Sequence, residues 1–298
     1  MTKRILITGA EGQVGWELAR TLAPLGEVFA LNRTDCDLAN PAALASALDR
    51  VRADVICNTA AYTAVDRAES QPELAERVNA TAVGEIGQWA AANSALVLHY
   101  STDYVFDGLA ASPYTENAPT NPRNVYGLSK LEGEKLLAAS GAAALTCRTS
   151  WVFSTRGHNF MRTMLRLARE REVLRVVADQ RGSPTWARWL AEASSKLLVD
   201  AVNSKVAAST HWRSIGGTLH LTGGGDTSWH GFAEQILATD PSRAEQSVQR
   251  VEAVSTADFP TAASRPAYTV LDCGKAEAMG IHRPSWEWQL ASAMLQRT

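Results

Sequence analysis

No apolar run in the chain reaches the roughly 18 residues that a membrane-spanning helix needs. Charge of one sign is also missing: 29 Lys and Arg stand against 31 Asp and Glu, a formal net charge of −2 over 298 residues. That balance leaves no polyelectrolyte footprint, so neither a nucleic-acid polymer nor a membrane is expected as a partner. Cysteine is sparse. Cys36, Cys57, Cys147 and Cys273 lie far apart with no C-x-x-C pair, which reads as reduced thiols rather than a disulfide scaffold or a metal knuckle. The six histidines (His99, His158, His211, His220, His230, His282) show no H-E-x-x-H or similarly close spacing, so no metal is expected. Met1-Thr2-Lys3-Arg4 leads directly into a strand-like segment instead of a signal-peptide h-region, and the expected compartment is the cytoplasm. No repeat or low-complexity tract is visible.

What is present is an alternation. Short apolar runs at Lys3–Thr8, Glu27–Leu31, Asp54–Asn58, Leu96–Tyr100 and Ala144–Arg148 read as fully buried parallel strands. Between them, Gly12–Leu25, Pro41–Val51, Pro72–Asn93 and Tyr126–Ser140 carry apolar residues at helical spacing. The fold class that follows is α/β, a doubly wound parallel sheet of Rossmann type. After about Arg148 the rhythm loosens and seven of the nine tryptophans appear. Residues 1–150 are read as a dinucleotide-binding domain. Residues 151–298 are read as a smaller substrate lobe, with some segments returning to the sheet. Helices are expected at Asn159–Arg171, Trp186–Val202 and Ser228–Ala238.

Gly9, Gly12 and Gly15 follow the first strand at a G-x-x-G-x-x-G spacing and open the first helix. Gly9 permits the tight turn, Gly12 lets a pyrophosphate approach the backbone, and Gly15 lets the helix pack on the sheet. Helix N–H groups and the dipole then face the phosphates. At the tip of the second strand stands Leu31-Asn32-Arg33, with no acid to select the ribose 2′-hydroxyl. Asn32 can bond a hydroxyl. Arg33 is either a 2′-phosphate partner or a surface charge. The reading is NADPH, with NADH also accepted. Asp37, followed by Leu38, flanks the adenine or caps the next helix.

Tyr126-Gly127-Leu128-Ser129-Lys130 places a phenol and an ammonium four residues apart, on one helix face. An adjacent cation lowers a tyrosine pKa, so Tyr126 could exchange a proton with a carbonyl or alcohol oxygen. Tyr100-Ser101-Thr102-Asp103 leaves the fourth strand at the edge where open sheets bind ligands, and its hydroxyls either hold a substrate oxygen or cap local turns. Asp66 and Glu69 read as solvated charges or helix caps. Arg265 reads as a pyrophosphate clamp or as an ion pair between the two halves. Cys57 and Cys147 read as buried hydrophobes.

Together, TGAEGQVGWEL, NTAAYTAVDRAE, HYSTDYVFDG, NVYGLSKLEGE, RTSWVF, DQRGSPT and SRPAYTVLD cover essentially the whole chain. In order and spacing they resemble the dTDP-4-dehydrorhamnose reductases of the extended short-chain dehydrogenase/reductase superfamily. That resemblance implies reduction of the 4-keto group of dTDP-4-dehydro-6-deoxy-L-mannose to dTDP-L-rhamnose. It implies Tyr126 as proton donor, Lys130 on the nicotinamide ribose, and Thr102 orienting the substrate with Asp103 beside it. Ala61, Tyr62 and Thr63 would line the cofactor, Gly12, Gln13 and Val14 would contact the pyrophosphate, and Trp151 would face the sugar or the nucleotide. Glu17 matches one position of a magnesium-bridged dimer described for some members, but Arg188 and Gln296-Arg297 stand where other acids are expected. A monomer or weak homodimer is therefore expected. Two alternatives remain open: an epimerase or dehydratase of the same superfamily, and a non-catalytic NADP-binding regulatory subunit. Tyr104 replaces the Glu expected of a dehydratase, and a regulatory relative typically has a degraded triad, whereas Thr102, Tyr126 and Lys130 are intact here.

Overall fold

The unbroken apolar runs of the first half become strands of one sheet in the computed structural model, which describes residues 2–202, 210, 212 and 217–296. They are β1 (Lys3–Thr8), β2 (Gly26–Leu31), β3 (Val55–Asn58), β4 (Leu96–Thr102) and β5 (Ala143–Thr149), joined by the later strand Gly217–His220. Across the sheet the order is Gly217–His220, β5, β4, β3, β1, β2, and every pairing is parallel. The chain runs from β1 outward to β2, then crosses to β3 on the other side of β1. That reversal opens a crevice beyond the carboxyl ends of β1 and β3, where such sheets bind ligands. The fold is the doubly wound, Rossmann-type sheet.

Both faces are covered at β3, β4, β5 and most of β1, which explains their lack of polar alternation, whereas the edge strand β2 has no fully buried residue, so the fully buried strand expected at Glu27–Leu31 is a half-exposed one. Along β1, Ile5 and Ile7 enter one apolar layer and Leu6 the other. The first layer takes in α1 (Gln13–Thr21), the helix Ala187–Val202 and much of the second half. The second is closed by α2 (Pro41–Val51) and the helix Ala82–Asn93. Cys57 and Cys147 are fully buried in the first layer, and all four cysteines are free thiols.

The second half adds the strand against β5 and a separate parallel pair, Val173–Val177 with Arg250–Val254. Two expected helices differ from their sequence reading. Gly12–Leu25 stops at Thr21 and finishes as a 3-10 turn, Ala23–Leu25, because Pro24 has no N–H to continue the ladder. Pro72–Asn93 is broken into Pro72–Glu76, a π-turn Arg77–Thr81, and Ala82–Asn93. The wide turn presents Asn79, whose side chain accepts from the Tyr62 N–H at 2.8 Å and donates to the Tyr62 carbonyl at 3.0 Å. His211 and Arg297 lie outside the described residues.

Candidate active site

The glycine turn is built by close approach. Gly9 has φ +69°, and a Cβ there would stand 2.8 Å from the Ala60 backbone. A Cβ on Gly15 would meet the Gly9 carbonyl oxygen at 2.3 Å, so α1 can sit this close to the turn only with glycine. No side chain caps the α1 N-terminus at Gly12, which leaves its first amides facing the crevice. Gln13 reaches the second half: its side-chain Oε1 accepts from Asn159 Nδ2 at 2.9 Å.

At the tip of β2, Asn32 is occupied with its own loop. Its Oδ1 accepts from the Thr34 and Asp35 N–H groups at 2.8 and 3.0 Å, and its amide donates to Glu11 at 3.3 Å. Asp37 caps a turn at the Ala39 N–H and pairs loosely with Arg33 at 3.6 Å. Arg33 is 78% exposed at the cleft edge, the position a 2′-phosphate partner requires.

The helix Val125–Ala139 carries Tyr126 and Lys130 and is pinned at its start. Asn124 Oδ1 caps the Gly127 N–H at 2.7 Å, and Glu69 accepts from the Val125 N–H at 2.9 Å. A Cβ on Gly127 would stand 2.2 Å from the Tyr104 carbonyl oxygen, so glycine lets the Tyr126 turn press against the segment after β4. Tyr104 and Tyr126 meet edge to face with centroids 6.1 Å apart.

Burial pushes the Tyr126 phenol up to about 12, against a hydrogen bond with Thr102 that pulls it down. The Asp103 charge adds to the rise, so the phenol stands above its ordinary value, opposite to the lowering expected beside Lys130. The Lys130 Nζ turns instead to the Tyr100 carbonyl at 2.6 Å and His99 Nε2 at 3.2 Å. Burial brings the lysine down to about 8. Asp103, only 2% exposed, is pushed up to about 7 by burial, with Thr269 and Thr102 hydroxyls opposing. Thr102 Oγ1 donates to Asp103 Oδ1 at 3.0 Å.

Trp151 has φ +46°, a conformation bulky side chains rarely adopt. Its ring stacks on Trp229 at 3.5 Å, and the missing Cβ of Gly182 makes room for it.

A single cleft of about 750 Å³ brings these groups together. Gly9, Gly12, Gln13, Val14, Asn32, Arg33, Asp37, Leu38, Ala61, Tyr62, Thr63, Thr102, Asp103, Tyr126, Lys130 and Trp151 all line it. Ser101 Oγ and Thr149 Oγ1 are buried at its wall without a hydrogen-bond partner, which fits a site shaped for a polar ligand. Arg265 does not line it; it grips Asp66 through both guanidinium nitrogens at 3.0 and 2.8 Å, the ion pair between the two halves. Sequence reasoning passed over Thr149, His99 and Asn79, and it read Glu69 only as a solvated charge or cap. His99 was detectable from its place just ahead of Tyr100-Ser101-Thr102. Asn79 had no local signal, because the π-turn that aims it is a tertiary feature. Among the described residues, no group of three or more His, Cys, Asp or Glu is placed to hold a metal ion, and Arg188 and Arg20 act on the Glu17 carboxylate.

A glycine cradle at the switch point of a doubly wound sheet, sharing its cleft with a Thr–Tyr–Lys set, defines the class of short-chain dehydrogenase/reductase-like proteins. The sequence model described as the RmlD substrate binding domain matches residues 3–298. A dTDP-4-dehydrorhamnose reductase of Burkholderia thailandensis is 48% identical over 289 residues, 96% of either chain. One from Salmonella typhimurium is 43% identical over 95% of this chain and 94% of its own. The solved structure of the Bacillus anthracis dTDP-4-dehydrorhamnose reductase in complex with NADP superposes with a TM-score of 0.88 at 34% identity, covering 99% of this chain and all of that one. The chain belongs to the dTDP-4-dehydrorhamnose reductase family.

Proposed function

We propose that this chain reduces the 4-keto group of dTDP-4-dehydro-6-deoxy-L-mannose, giving dTDP-L-rhamnose, with NADPH as cofactor and NADH also accepted. The observation that carries the reading is the convergence of Thr102, Tyr126 and Lys130 on the cleft that holds the glycine cradle. The cradle fits a dinucleotide: Gly9, Gly12 and the first amides of α1 suit a pyrophosphate, and exposed Arg33 suits a 2′-phosphate. Bound there, NADPH supplies the hydride for the carbonyl carbon.

The chain's own groups handle the oxygen. As the carbonyl oxygen gains charge, Tyr126 gives it the phenolic proton, and Thr102 holds the same oxygen by turning its one hydroxyl proton from Asp103 to it. A phenol pushed up to about 12 stays protonated at neutral pH, which suits donation to a nascent alkoxide. Lys130 holds the nicotinamide ribose. Asp103 and Trp151 hold the sugar, and Ala61, Tyr62 and Thr63 wall the cofactor. Two domains divide this work, residues 1–150 for the cofactor and 151–298 for the sugar nucleotide. The reading carries with it a cytoplasmic monomer or weak homodimer; among the described residues no helix is long and apolar enough to cross a membrane.

The test is NADPH and NADH oxidation with dTDP-4-dehydro-6-deoxy-L-mannose. Stoichiometric oxidation with formation of dTDP-L-rhamnose is the expected result. Tight NADPH binding without oxidation would overturn the substrate assignment.

A further inference from the structure

His99 lies on β4, fully buried, in a chain of side chains that crosses the sheet beneath the cleft. The Thr8 hydroxyl on β1 meets Asn58 Oδ1 at 2.6 Å, Asn58 Nδ2 meets His99 Nδ1 at 3.1 Å, and His99 Nε2 meets Lys130 Nζ at 3.2 Å. Thr8, Asn58, His99 and Lys130 are each at most 2% exposed. No reaction step described above uses His99, yet a buried polar row aimed at a lysine is not what an apolar core requires.

The donor count on Lys130 gives the row a purpose. An ammonium has three N–H donors. One goes to the Tyr100 carbonyl at 2.6 Å and one faces His99 Nε2, which leaves the third for the cleft that Lys130 lines. His99 can accept only if it is neutral with its proton on Nδ1. Burial and the neighbouring lysine both hold its pKa well below the ordinary histidine range, so it is neutral. The Nδ1 proton then needs an acceptor, which the Asn58 amide provides in the orientation opposite to that of the contacts above, its oxygen turned toward His99 and its amine toward the Thr8 oxygen; the two orientations place the same heavy atoms in the same positions.

We propose that His99 is a positioning residue for Lys130: its Nε2 atom, held in the accepting tautomer by Asn58, keeps the lysine charged and aimed into the cleft. The proposal rests on the reading of Lys130 as the residue that holds the cofactor ribose. The other groups around Lys130 do not replace this contact. Glu134, on the same helix, favours the charged lysine through its own charge but makes no hydrogen bond to it, being doubly bonded to Arg148 of β5, while Tyr126 and Asp103 stand toward the cleft.

The experiment is NADPH affinity, followed by fluorescence from neutral pH upward, in the wild type, His99→Gln and His99→Asn, with thermal melts alongside. Only the ammonium donates three hydrogen bonds, so wild-type affinity falls as pH rises through about 8. Gln places an acceptor where Nε2 was; Asn reaches only the Nδ1 position. His99→Asn is expected to move the midpoint down by about one pH unit, the size of one charge-assisted hydrogen bond, and His99→Gln to restore it. Should His99→Asn fail to fold, Asn58→Leu serves, because it removes the Nδ1 partner that holds the accepting tautomer and is expected to lower the midpoint too. Midpoints that match the wild type in every folded variant, or that shift equally in Asn and Gln, overturn the role of His99. A wild type that binds no NADPH at any pH overturns the reading of the site itself.

Discussion

Tyr126 and Asp103 are both displaced by burial, with opposite consequences for activity and stability. For the proton-donating role proposed for Tyr126 the displacement is useful, since a phenol pushed up to about 12 keeps its proton until an alkoxide calls for it. Replacing it with Phe removes the proton but not the ring, which meets Tyr104 edge to face. Tyr126→Phe is expected to lower kcat by about a hundred- to ten-thousand-fold while NADPH affinity stays within about twofold. Turnover and calorimetric titration on one preparation check it; equal losses in both would mean that the residue is structural. Asp103 is a cost to the fold. With its pKa raised from 3.8 to about 7, the folded state binds a proton that the unfolded state has released between those values. Stability therefore falls as pH rises through that window and stays reduced above it. Asp103→Asn removes the penalty, so its melting temperature should exceed the wild type's above neutrality, and the gap should close as pH falls toward 4. The same variant should raise KM for the sugar nucleotide. A gap that does not depend on pH would show that burial does not shift the Asp103 carboxyl, which would then ionise alike in the folded and unfolded states.

At the scale of elements, the helix Val125–Ala139 is positioned by contacts at both its first and its third turn. Its N-cap is Asn124, 8% exposed, which also donates to the Ser264 carbonyl at 2.8 Å. Losing such a cap destabilises a protein by ~1 kcal/mol. Asn124→Ala is expected to lower stability by about that much in urea unfolding, and to lower kcat further than any fall in NADPH affinity, because Tyr126 sits in the freed turn. Farther along, a Cβ on Gly133 would stand 2.0 Å from the Asn79 carbonyl oxygen in the π-turn. Gly133→Ala must therefore move one backbone against another, with an expected loss of ~1–3 kcal/mol. These contacts mark what the sequence left unreadable. The runs in β1, β3, β4 and β5 could be placed because a strand buried on both faces is largely apolar; the half-exposed edge strand β2 shares the short apolar run without that burial. The glycine turn and the Tyr–Lys spacing were visible because their chemistry is local. The π-turn was not, since a continuous helical pattern from Pro72 to Asn93 hides one extra residue whose purpose is to meet Tyr62 and Gly133. The return of Gly217–His220 to the sheet was foreseen only as a tendency, because pairing with β5 is a non-local choice.

Across the whole molecule, the two halves meet beside the helix Val125–Ala139 as well as in the shared core. The segment Ala263–Arg265 lies against it: the Ala263 N–H reaches Asp66 at 3.0 Å, Arg265 grips the same carboxylate, and Ser264 receives the Asn124 amide. Gln13 and Asn159 make a second tie across the cleft mouth. Asp66 is 45% exposed, so its ion pair adds at most ~1 kcal/mol to stability. Its position matters more than its energy, because Glu69, three residues on, holds the first N–H of the Tyr126 helix. Asp66→Ala should leave the melting temperature nearly unchanged and raise KM for the sugar nucleotide several-fold, since the segment Ala263–Arg265, a strap between the halves, would no longer define how the second half sits over the cleft. The sign of the pH effect follows from the pair. Hydrogen bonding to Arg265 holds the Asp66 carboxyl below 3.8, so the contact is complete above that value and is lost only as pH falls through the lowered one. At any pH used for the reductase assay the KM difference between Asp66→Ala and wild type should therefore be constant. A difference that grows or vanishes between mildly acidic and alkaline buffer would place the seam's control on another group, and a large drop in melting temperature would make the strap a part of the fold rather than of the reaction.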